Sequence, residues 1–138
     1  MKTLLSLALL IAVALPSAAQ VAPYKVVGDG IPQSLTGKPA NAANGRALLV
    51  KRGSANCLEC HAVKKDKDLA SGGSRGPALD GVGAALTQAQ LRLSVVDYSK
   101  VTGGTRMPSF HKAPADGDKP ALTAAEIEDV VAYLSTLK

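Results

Sequence analysis

Apolar residues recur with a helical period in three stretches of this chain. At the C-terminus, Ile127, Val130, Val131, Leu134 and Leu137 fall three and four residues apart and so share one helix face. "TAAE" at 123–126 is a capping box and marks where that helix starts. A second capping box, "TQAQ" at 87–90, opens a short helix through Leu91, Val95 and Val96. The third stretch, "NAANGRALLVKRG" at 41–53, starts near an Asn cap and carries Leu48, Leu49 and Val50 as its apolar residues. Gly45 costs this helix stability, which marks a close approach by another helix; the C-terminal helix is the expected partner, with Tyr133 in reach. "RGPALDGVG" at 75–83 has too many turn formers for regular structure, while "KKDKD" at 64–68 and "PADGDKP" at 114–120 read as solvated loops. No strand-rich segment precedes Cys57, and the fold expected is all-α.

The first apolar run has another meaning. Lys2, the stretch Leu4–Leu15, Pro16 and the small residues "SAA" form a charged region, a hydrophobic region and a cleavage site before Gln20, so residues 1–19 read as a cleaved signal peptide. A retained membrane helix is the competing reading, but the run is shorter than the ~20 residues that span a bilayer. No cysteine stands at the cleavage site to take a lipid, and the expectation is a periplasmic protein without a membrane anchor. The formal charge of the 138-residue chain is +5, or +4 without Lys2, and no basic run exceeds "KK" at 64–65, which gives nucleic-acid binding little support. With one Phe, three Tyr and no Trp, large core-filling side chains are nearly absent, and a large flat cofactor would fill that gap.

"ANCLECH", residues 55–61, holds both cysteines and one of the two histidines. A structural zinc site usually takes four Cys or His ligands, so Cys57, Cys60, His61 and His111 would all have to converge. A thioredoxin-like redox pair would sit near a βαβ pattern, for which the chain has no sign. C-x-x-C-H is the signature of covalent haem attachment. Two thioether bonds to the haem vinyls need cysteines one helical turn apart, and the imidazole of the next residue then lies under the iron. That reading is favoured, with zinc or disulfide chemistry as alternatives, and export agrees with it.

The sixth iron ligand separates electron transfer from ligand chemistry. After signal removal Met107 is the one methionine left, in the Gly-rich segment "TGGTRMP", where Pro108 stiffens the loop. A lone Met is more often a core filler, yet this context favours a ligand. His111 is the rival, its alternative being a surface role. Either choice closes the iron to substrate. Pro77 is placed to present its carbonyl to the His61 ring, the alternative there being a plain surface turn.

The Gly45 helix, "CLECH", "GPAL", "MP" and "VVAYL" together resemble class I cytochrome c over residues 41–138. More specifically, "GDGIPQSLTGKPANAANGRALLVKR", "NCLECH", "GPALDGVG", "LRLSVVD", "TRMPSF" and "LTAAEIEDVVAYLSTL" resemble the SoxX family, the small mono-haem subunits of the SoxAX cytochromes of sulfur oxidisers. The resemblance implies a few helices wrapped around one covalently attached haem c, with an extended N-terminal arm over 20–40. It implies that Cys57 and Cys60 hold the haem and that His61 and Met107 ligate the iron. His111 stands where many relatives have a tyrosine. The implied partners are a SoxA-type mono- or di-haem cytochrome subunit, indirectly the SoxYZ carrier, and a downstream electron-accepting cytochrome. In that family the heterodimer conjugates thiosulfate to a carrier cysteine (an L-cysteine S-thiosulfotransferase), and the small subunit receives or relays the electrons without an active site of its own. The arm, with Pro23, Pro32 and Pro39, has no evident core and would suit packing along SoxA. An independent diffusible cytochrome c is the alternative function, and haem-based catalysis or gas sensing would need an open sixth position.

Overall fold

The computed structural model describes residues 21–51, 55–112 and 119–138. The expected signal peptide over 1–19 and most of "PADGDKP" lie outside these residues. Among the described residues four helices form: α1 (Ala42–Leu49), α2 (Val82–Ala85), α3 (Gln88–Asp97) and α4 (Ala124–Thr136). Short 3-10 turns at Cys57–Glu59 and Tyr98–Lys100 complete the regular structure. Among the described residues there is no strand, only an isolated bridge between Val27 and Gly30.

The helix starts follow the capping chemistry. Thr87 and Thr123 each accept an N–H three residues on, from Gln90 and Glu126, whose side chains return the bond to the cap. Asn41 Oδ1 accepts from Ala43 N–H at 2.9 Å and Asn44 N–H at 3.2 Å, so α1 begins at its Asn. Its end comes earlier than the apolar pattern indicates: Val50 is already the C-cap and is exposed.

Helix α4 is the hub, packing against α1, α2 and α3. Ile127, Val130, Val131 and Leu134 are all buried on it, as the periodicity predicts. Gly45 permits the α1 crossing, because a Cβ there would overlap the Asp129 carbonyl of α4 and come within 3.0 Å of Tyr133 Cβ. The turn-rich 75–83 segment is not wholly irregular. Its last residues open α2, which fits against the end of α4 through Gly83 N–H donating to Leu137 O at 2.9 Å.

The 64–68 loop is solvent-facing, as expected, and it is pinned as well: Arg46 of α1 holds Asp66 at 2.7 Å and Asp68 at 2.9 Å, and the Asp80 carboxylate accepts the Lys64 and Lys65 N–H groups at 2.7 and 2.8 Å. The arm, which showed no core in the sequence, is docked on its own domain. Ile31 is 1% exposed, and its N–H donates to Ala89 O of α3 at 2.9 Å. A buried ion pair fastens the arm further: Arg92 meets Glu128 at 2.7 and 3.0 Å, while Arg92 Nη1 donates to Ile31 O and Glu128 Oε1 accepts from Leu35 N–H. A guanidinium and a carboxylate buried together need such extra bonds to offset their lost hydration.

Candidate functional site

The CLECH segment turns because Cys60 N–H and His61 N–H both donate to the Cys57 carbonyl, at 3.2 and 3.0 Å. That single turn brings the two thiols onto one stretch of backbone, half-buried and not bonded to each other. Burial pushes the Cys57 thiol up to about 11, so in this fold it is protonated at neutral pH.

Behind the turn, 72–77 lies as a backbone brace. Gly73 N–H donates to Leu58 O at 2.9 Å, and Gly76 N–H donates to Cys60 O at 2.8 Å. Any Cβ at Gly76 would run into the His61 ring. The ring is oriented by its Nδ1, 2.7 Å from the Pro77 carbonyl. A carbonyl only accepts, so Nδ1 carries the proton and Nε2 is left with its lone pair. Gly76 did not register as a site residue in the sequence; the signal was its place directly before Pro77, which also reads as an ordinary turn.

Met107 is half-buried against the core, in a loop held by its own N–H donating to Thr105 Oγ1 at 3.1 Å. His111 is not at the surface. It is 1% exposed, with Nδ1 3.0 Å from Leu122 O and Nε2 accepting from Ala22 N–H at 3.0 Å. Both ring nitrogens are engaged within the fold, which corrects the surface role and removes His111 from convergence with Cys57, Cys60 and His61. Among the described residues no cluster of three or more His, Cys, Asp or Glu side chains is arranged to hold a metal ion, so the zinc reading has no site. Two surface cavities, about 450 Å³ between α1 and α4 and about 640 Å³ within the arm over Pro23–Leu35, contain none of the CLECH residues.

Thiols one turn apart, followed directly by an imidazole whose Nδ1 is held by a carbonyl, fit covalent haem attachment. A helical domain built around such a turn defines a class, and the chain belongs to it: residues 42–138 match the cytochrome c family. The chain is also similar to the crystal structure of SoxXA from P. pantotrophus, at 36% identity and a TM-score of 0.77, covering 83% of this chain and 94% of that one. The resemblance to SoxX read from the sequence therefore holds in three dimensions. The c-type cytochrome SorU from Sinorhizobium meliloti is a looser likeness, at 27% identity and a TM-score of 0.48 over 70% of this chain and 88% of that one. Among curated proteins none matches the chain. As a cytochrome c, the protein carries covalently bound haem c.

Proposed function

We propose that this protein is the mono-haem electron-transfer subunit of a SoxAX-type complex in thiosulfate oxidation, paired with a SoxA-type cytochrome. The observation that carries this reading is the extent of the SoxXA likeness, which covers more of the chain than the 42–138 domain and so takes in part of the arm. When bound, the haem supplies a one-electron iron couple. Cys57 and Cys60 are its thioether anchors, and both thiols are consumed, which leaves no nucleophile for sulfur transfer here. His61 Nε2 would ligate the iron, with the Pro77 carbonyl setting the ring's tautomer and orientation. Met107 would supply the second protein ligand; the commitment of both His111 nitrogens elsewhere supports it.

Electrons released as thiosulfate is joined to the SoxYZ carrier cysteine pass through this subunit to a downstream cytochrome. Residues 1–19 direct export to the periplasm and are removed. Among the described residues no helix is long and apolar enough to cross a membrane, in keeping with that location. The test is the visible and near-infrared spectrum of the protein purified from periplasm, with a pyridine haemochrome and a check for a co-purifying second haem protein. A c-type haemochrome, the weak long-wavelength band of methionine on ferric haem, and a SoxA-sized partner are expected. A c-type protein that always purifies alone would instead be a diffusible carrier, and a haem-free protein would end the proposal.

A further inference from the structure

The segment after Met107 is fastened at more points than a surface loop requires. Ser109 Oγ donates to Asp97 Oδ1 at the end of α3, at 2.7 Å. The Phe110 carbonyl accepts from Leu122 N–H at 2.8 Å. The His111 ring closes the clasp, donating from Nδ1 to Leu122 O and accepting at Nε2 from Ala22 N–H, each at 3.0 Å. An amide N–H only donates and a carbonyl only accepts, so both bonds require the neutral ring with its proton on Nδ1. Three parts of the chain meet at this imidazole: the Met107 loop, the approach to α4 and the start of the arm.

We infer that His111 is a positioning residue for Met107, holding the loop closed and limiting how often the sixth iron position opens. The inference rests on the Met107 assignment proposed above. An external ligand enters only when the thioether has swung away, so its apparent affinity is its intrinsic affinity scaled by the open fraction of the loop. The ring is buried and makes two bonds four residues beyond the sulfur, one of them to a residue 89 positions away; without them the arm is released from the loop, which keeps the Ser109–Asp97 bond and the backbone bonds at Phe110 and His111.

The experiment titrates the ferric holoprotein with imidazole while following the methionine band. His111→Leu removes donor and acceptor, His111→Gln keeps one of each, and Ala22→Pro leaves the ring intact while it deletes the arm's N–H and fixes φ there. Asn41→Ala, which removes the α1 cap, is the control for a general loss of stability. Imidazole affinity should rise about tenfold in His111→Leu and several-fold in Ala22→Pro, stay within about threefold of the parent in His111→Gln, and not change in Asn41→Ala. If His111→Leu fails to fold, Ala22→Pro against His111→Gln still makes the comparison. Parent-like affinity in both His111→Leu and Ala22→Pro overturns the inference, as does an equal rise in Asn41→Ala. A parent protein lacking the methionine band overturns the Met107 assignment instead, an outcome read before any variant is made.

Discussion

One missing side-chain atom governs the setting of His61. With any Cβ at Gly76 in the way of the ring, the imidazole would have to turn off the Pro77 carbonyl and lose the bond that fixes its tautomer. Gly76→Ala should therefore lower the haem-to-protein ratio of the purified material several-fold, measured by pyridine haemochrome against total protein; a ratio equal to the parent's would mean the ring has room to spare. Cys57 yields a second expectation. Burial lifts its thiol from 9.0 to about 11, which disfavours the thiolate. At neutral pH the haem-free protein should then hold about a hundredfold less thiolate at Cys57 than an unperturbed cysteine. Alkylation of Cys57, followed by peptide mass spectrometry, should be correspondingly slow at neutral pH and accelerate as the pH rises toward 11. The cysteine pair was legible from spacing alone, whereas Gly76 was not, because nothing local separates a glycine that clears a ring from one that makes a turn.

The helices were legible where a cap and an apolar stripe coincide. Both Thr capping boxes start helices, and Gly45 lies where α1 crosses α4. The obstacle to a side chain at Gly45 is backbone, which cannot rotate aside, so Gly45→Ala should push α1 from α4 and cost about 3 kcal/mol in denaturant unfolding. Helix α3 was legible only in part. Leu91, Val95 and Val96 are buried as expected, but Arg92 and Leu93 are buried too, and for Arg92 the arm is one cover, through Ile31 O. The end of α3 also governs acid behaviour. Bonds from Ser99 and then Ser109 hold the Asp97 carboxyl below the usual carboxylate range, burial opposing them. A depressed native value means stability that is present above the ordinary carboxylate range and lost as pH falls through the native value. Ser109→Ala takes away one of those bonds and raises the native value, so the variant should lose its methionine band at a higher pH on acid titration than the parent. Asp97 is partly exposed, and solvent screening keeps the shift small.

Across the whole molecule, what the sequence could not reveal is how its distant parts meet. His111 read as a surface group and the arm as a strip without a core, because the partners that bury them are 89 residues away for His111 with Ala22, and 61 for Arg92 with Ile31. Neither separation leaves a periodic trace. The consequence is that the arm is part of the domain's own stability before any partner binds. Glu128 makes the point testable. Removing its carboxylate by Glu128→Ala leaves the Arg92 charge buried and the Leu35 N–H without its acceptor, and should cost about 3–5 kcal/mol by denaturant unfolding. Replacing the pair together, Arg92→Met with Glu128→Leu, removes both charges and should recover part of that loss. Recovery will stop short of the parent, because Ile31 O and Leu35 N–H lose partners that an apolar pair cannot replace, at about 1–3 kcal/mol each. Full recovery would mean that the ion pair merely fills space between α3 and α4; partial recovery, with hydrogen exchange rising at Ile31 and Leu35 ahead of the helices, is the outcome expected if these bonds hold the arm in place.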